Sequence, residues 1–171
     1  MTRLLERFTT EYIEVEDRIR LTGACADQKV SVFWLNLRLA QRLVPVLLNW
    51  LSSQQAIDQQ HTDLLNSFAQ QAARAAHTPQ PPVEAQTSDA AHLIHAISVS
   101  FHPEALELTL GVEAAEHHAR IQFGTAPLRQ WVNILYDLYR KAEWPLDQWP
   151  DWIKEPEAPE APVTGRSVVL H

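Results

Sequence analysis

The sequence predicts an α+β fold in which a strand–strand–strand–helix unit occurs twice, the two halves sharing one antiparallel sheet covered by helices. Two observations carry this. Short runs alternating apolar and polar residues come in a set of three before residue 36 and another set of three after residue 93. Each set is followed by a stretch with apolar residues at helical spacing. A period of two marks half-buried strands and a period near 3.6 marks helices. One further helix is expected between the halves. The resulting organisation is a single α+β domain over 1–153, with halves roughly 1–52 and 92–153, an inserted helix at 55–77, a linker at 78–91 and a tail at 154–171.

Tyr12 to Glu16 and Arg18 to Thr22 alternate, with Glu16-Asp17 as either a tight connection between two strands or a bend in one long one, and Val30 to Trp34 reads as the third strand after a polar turn from Gly23 to Lys29. Asn36 is a good N-cap, because its side chain can accept from the orphan amides of a first helical turn. Behind it Leu39, Leu43, Val46, Leu47, Trp50 and Leu51 form one stripe, with Pro45 inside the run as a source of a kink or a break. Ile57 to His77 reads as a Gln- and Ala-rich helix anchored by Leu64, Leu65 and Phe68. Thr78 to Pro82 ends it and opens an exposed, semi-rigid linker running to about Asp89.

The pattern then returns in Ile94 to Phe101, in Leu106 to Leu110 and in Ala119 to Phe123. Thr125 is expected to cap a last helix, with Pro127 in its tolerant first turn and Leu128, Trp131, Val132, Leu135, Leu138 and Tyr139 facing the core. Three of the six tryptophans follow within Trp144 to Trp152. Beyond Ile153 the composition, Glu155-Pro156-Glu157-Ala158-Pro159-Glu160-Ala161-Pro162, is that of a disordered tail, ending in the less polar Ser167-Val168-Val169-Leu170-His171.

The net charge of −7 is uneven, with seven basic and six acidic side chains in residues 1–50 against four and eight in residues 101–153. Such a balance argues against salt-driven nucleic-acid binding, which needs a basic face to release counterions. Cys25 is the only cysteine, so no intrachain disulfide or thiolate metal cluster can form, and a small core residue is its expected role. The opening Met1 to Phe8 has charges at every turn and no apolar h-region, and no run approaches the roughly 18 apolar residues of a membrane span. A cytoplasmic address with no membrane contact is the expectation. The four glycines, at 23, 111, 124 and 165, build no phosphate loop, dinucleotide fingerprint or nucleophile elbow.

Four groups of residues could carry function. Trp144, Trp149 and Trp152 are either a lid over the core or an aromatic hot spot for a partner protein. Val168, Val169 and Leu170 could dock as a tethered peptide, for example by adding a strand to a sheet edge. Arg18, Arg20, Arg38 and Arg42 could form an anion-binding fork if the second strand neighbours the first long helix. His102, His117 and His118, helped by Glu113 or Glu116, could hold a metal if loops bring them together.

These features point to a non-catalytic cytoplasmic protein that binds another protein, without a cofactor. The alternative is a small-ligand or metal-binding domain, with or without enzymatic activity, built on the His and Glu residues. An uncovered edge strand would also let two copies pair as a homodimer.

Overall fold

The computed structural model describes residues 2–55 and 59–154. It is an α+β structure, but the strands form two four-stranded sheets where one shared sheet was expected. The first half supplies β2 (Arg7–Ile13), β3 (Arg18–Ala24) and β4 (Val30–Leu35), an antiparallel set followed by α1 (Leu37–Ser53). After α2 (Gln59–Ala76), the second half supplies β6 (Ala96–Phe101), β7 (Ala105–Gly111) and β8 (Ala119–Gly124), again antiparallel, followed by α3 (Thr125–Lys141).

The fourth strand of each sheet is borrowed. Strand β1 (Arg3–Leu4) leads into β2, yet it pairs in parallel with β8 of the other sheet. Strand β5 (Ala90–Leu93) leads into β6, yet it pairs in parallel with β4, Ser31 opposite Ala90 through Trp34 opposite Leu93. Neither strand was expected. Two residues are too few to show a period, and Ala-Ala-His-Leu has no β-branched residue; pairing with a distant strand makes both.

At each exchange one buried residue marks the passage between sheets. The Leu5 amide donates to the Arg120 carbonyl at 2.9 Å, and the next amide, of Glu6, donates to Ala24 at 2.9 Å. The Ile94 amide donates to Trp34 at 2.9 Å, and the next, of His95, to Gly111 at 3.0 Å. Leu5 lies so close to β3 that a Cβ on Gly23 would stand 2.6 Å from its side chain. That contact explains a glycine inside β3, where the sequence suggested a turn.

One hydrophobic core joins the inner residues of both sheets to α1, α3 and the C-terminal aromatic residues. Asn36 caps α1 as expected, its Oδ1 accepting from the Leu39 amide at 2.9 Å. Helix α1 runs without a break through Pro45, whose missing amide leaves the Gln41 carbonyl without its helical donor. Helix α3 starts one residue earlier than expected, with Gly124 rather than Thr125 at the N-cap. The segment from His77 to Asp89 carries no regular structure and is largely exposed, but Val83 is buried and its amide donates to Thr9 Oγ1 at 2.7 Å. No helix among the described residues is long and apolar enough to cross a membrane.

The exchange also brings His92, on β5, against His117, in the 3-10 turn before β8. The rings stack at 4.6 Å, with Phe33 at 5.9 Å on His92. Burial first, then the positive charge of His117 and Arg3, holds the His92 pKa below its ordinary value.

Leu5→Ala and Ile94→Ala should each destabilise the fold by about 2–5 kcal/mol, the range for emptying a packed aliphatic site. Equilibrium urea unfolding checks this, and a loss near zero at both would show the crossings to be passive. Because the folded state holds protons on His92 less readily than the unfolded chain, stability is complete above pH of about 6.5 and falls as pH drops through the lower folded value. His92→Phe, which keeps the stacking partner, should flatten that acid limb in urea midpoints taken from pH 7.5 downwards.

Candidate interaction surfaces

Helix α2 is assembled from good helix formers, mostly Gln, Ala and Leu, so its existence is a matter of propensity. Its orientation is the reverse of the usual one. Asn66 and Gln70 are fully buried with Ala73 beside them, whereas Leu64 and Phe68, expected as core anchors, are 54% and 59% exposed and Leu65 is half-buried. The buried set is spaced by four and three residues; Leu64, Phe68, Ala72 and Ala75 form a second row spaced by four, four and three. The helix therefore has a polar inner face and an apolar outer ridge.

The inner face is polar because of Arg129. This residue sits on α3 among core positions and is only 2% exposed. Its Nη2 donates to Asn66 Oδ1 at 2.9 Å and to the Leu51 carbonyl at 3.4 Å, and its guanidinium lies 5.5 Å from the centre of the Trp152 ring. Gln70 Nε2 donates back to the Arg129 carbonyl at 2.8 Å, and Asn66 Nδ2 to Ser52 Oγ at 3.1 Å. Burial lowers the guanidinium pKa to about 10. Its Nε and Nη1, like Gln70 Oε1, have no hydrogen-bond partner. Such a network fixes where α2 sits more than it stabilises the fold, since a buried charge repays its desolvation only when well paired.

The C-terminal end of α2 is fastened to α3 and to the chain's last turn. Arg74 Nε donates to Asn133 Oδ1 at 2.6 Å, Arg74 Nη2 donates to the Ile153 carbonyl, and Gln130 Nε2 donates to the Ala73 carbonyl at 3.1 Å. Beside this junction lies a groove of about 460 Å³. Phe8, Phe123 and Trp131 line it, Trp131 stacked on Phe123 at 5.0 Å and meeting Phe8 edge-on at 5.9 Å. Trp131 Nε1 donates to Thr10 Oγ1 at 3.0 Å. The segment from His77 to Val83 forms a wall of the groove, with Gln130 and Ile134 of α3 also lining it.

The tryptophans Trp144, Trp149 and Trp152 are all buried and form a lid. Trp144 and Trp149 meet Tyr139 edge-on at 5.1 and 5.2 Å, and Trp149 also meets Tyr136. Trp144 Nε1 donates to Asp17 Oδ1 at 3.0 Å, the oxygen that also accepts from Tyr12 Oη at 2.8 Å; both bonds hold the Asp17 carboxyl below its usual range. Val168, Val169 and Leu170 lie outside the described residues.

The other candidate groups do not converge. Arg18 and Arg20 pair with Glu16 and Glu11 at 3.9 and 2.9 Å, while Arg38 and Arg42 are exposed on α1, and no described contact joins the two pairs. His102 precedes β7 and His117 and His118 follow it, so they stand at opposite ends of a strand about 20 Å long. His117 stacks on His92, and the His118 ring meets the Val112 carbonyl at 3.1 Å through Nε2. Among the described residues no three His, Cys, Asp or Glu side chains gather as metal ligands. Burial, with the Asp27 charge adding, pushes the half-buried Cys25 thiol up, which keeps it in the unreactive form.

Comparison of the chain with protein families, with curated proteins and with solved structures finds no match.

Asn66→Ala removes the best acceptor of a buried guanidinium, so it should cost about 1–3 kcal/mol in chemical denaturation. Asn66→Asp should be milder, because it keeps the acceptor and adds the missing countercharge. An Asn66→Ala variant as stable as the parent would remove Arg129 as the reason for α2's orientation.

Proposed function

We propose that the chain is a non-catalytic protein-interaction module whose docking element is the outer ridge of α2. The inverted polarity of this helix carries the reading. Scattered exposed apolar residues are ordinary, but here a helix turns Asn66 and Gln70 into the core and Leu64 and Phe68 into water. The polar mounting on Arg129 leaves both side chains more than half exposed.

Two large apolar side chains one turn apart match the way a helix inserts into an apolar cleft. The partner this fits is a protein offering such a cleft, with α2 supplying the anchors. Burial of Leu64 and Phe68 would contribute about 1.5–3 kcal/mol each. The ridge is small beside the roughly 800 Å² per partner of a standard interface, so the association is a transient one.

Leu64→Ser with Phe68→Ser should leave thermal stability within about 0.5 kcal/mol of the parent, as surface substitutions do, and should abolish association. A photo-crosslinking residue at Gln71, beside the ridge, identifies the bound protein in cells. The reading predicts an adduct that the double variant loses. An adduct that survives the double variant, or a double variant that unfolds, sinks it.

A further inference from the structure

Each sheet has two edges, and only one of these four edges is undefended among the described residues. Strands β1 and β5 are two and four residues long, and β2 carries Arg7 and Glu11 and is approached by the Val83 amide at Thr9. Strand β6, Ala-Ile-Ser-Val-Ser-Phe, has six residues, no charge and no proline. Short edges, charged side chains and covering loops keep sheets from joining edge to edge, and β6 has none of them.

The register fixes which backbone groups of β6 face outward. The His102 amide, just past the strand, donates to the Ala105 carbonyl opposite it at 2.8 Å. Opposite residues of an antiparallel pair are alternately bonded and not bonded to each other. Ser100, Ser98 and Ala96 therefore bond to Glu107, Thr109 and Gly111, and the N–H and C=O groups of Ile97, Val99 and Phe101 point to the open side. The side chains of these three lie on the core face, opposite the buried Leu110, Leu108 and Leu106. Ile97 and Val99 are half-buried there, but Phe101 is 57% exposed. The edge thus lacks both backbone partners and full apolar cover.

We infer that this edge is a dimer interface, in which β6 pairs antiparallel with β6 of a second copy about Val99. The strand is its own complement in that register. A two-fold axis at Val99 sets Ile97 against Phe101, and Ser98 against Ser100, of the other copy. Ile97, Val99 and Phe101 each then donate one main-chain bond and accept one. The aliphatic–aromatic pair, made twice, covers the exposed Phe101 rings. The chain is acidic overall, but along β6 no like charges meet. A single strand pair buries less than the roughly 800 Å² per partner of a standard interface, so the dimer comes apart on dilution. The interface uses no residue of α2, and its formation does not depend on the function proposed for that helix.

Sedimentation equilibrium of the full chain, from micromolar to millimolar concentration, should show the mass rise from one chain to two. Ser98 and Ser100 are exposed, so substitutions there leave the fold intact. Ser98→Lys with Ser100→Lys sets like charges face to face and should stay monomeric. Ser98→Lys with Ser100→Glu sets each lysine against a glutamate and should dimerise at least as tightly as the parent. Hydrogen exchange needs no variant: the Ile97, Val99 and Phe101 amides should gain protection with concentration, while those of Ser98 and Ser100, bonded within the chain, should not change. A chain that is monomeric at every concentration leaves the edge to a strand of another protein and overturns the assignment. A dimer that survives both lysines, a lysine–glutamate variant that stays monomeric, or protection gained elsewhere overturns it too. A dimer lost on Leu64→Ser with Phe68→Ser would place the contact on α2 instead, so the two readings fail separately.

Discussion

Everything in this structure depends on the two points where the chain changes sheet. Leu5 hydrogen-bonds into one sheet and Glu6 into the other, and Ile94 and His95 do the same in reverse. Each sheet's fourth strand is therefore the lead-in of the other sheet's first long strand, and neither sheet is complete alone. The cost falls on neighbouring residues: Gly23 has to lack a side chain because Leu5 occupies its space. It also falls on folding, because β1 pairs with β8 across more than a hundred residues, and pairings so distant in sequence are slow to form. In return both sheets contribute to one core, which α3 spans by packing on β2 of one sheet and β8 of the other.

A second polar constraint is laid over this frame. A guanidinium inside a helix junction, with two nitrogens unpaired, is a poor source of stability, and its partners are neutral amides and a carbonyl. What it supplies is register. Asn66 and Gln70 can meet Arg129 only if α2 presents their face, and that choice turns Leu64 and Phe68 outward. The aromatic lid completes the junction through Trp152, whose ring packs on the Arg129 guanidinium.

Much of the fold is legible in the sequence because the long strands and helices α1 and α3 obey local rules. Alternation marks the three long strands of each half, Asn36 marks the start of α1, and the stripe Leu128, Trp131, Val132, Leu135 and Tyr139 is the buried face of α3. The division into two sheets is not legible, because β1 and β5 carry no period and exist through long-range pairing alone. The orientation of α2 is hidden for a different reason. An apolar row normally faces the core, and the rule fails here because a charged residue elsewhere, Arg129, occupies a core position of α3. The one available signal was Arg129 itself, flanked by Leu128, Trp131 and Val132 on the buried stripe. The aromatic groove was invisible in the same way, since Phe8, Phe123 and Trp131 come from three elements that only the sheet exchange brings together.

Arg74 ties α2, which carries the ridge, to α3, which lines part of the groove, and this bears on how the two can influence each other. Helix α2 is held by side-chain hydrogen bonds more than by buried apolar area, the condition under which an element opens locally at less than the global free energy. Its outer ridge can therefore move while the sheets stay closed. Arg74 connects that movement to the chain exit at Ile153 and, through Asn133, to the groove wall. Coupling between ridge and groove has two described routes, a shift of α2 against α3 and the His77–Val83 segment that continues α2 into the groove wall. Arg129 opposes such a shift, since displacing Asn66 strands a charge that has no other side-chain acceptor among the described residues. The residue that makes the core imperfect is thus the one that keeps both surfaces in place.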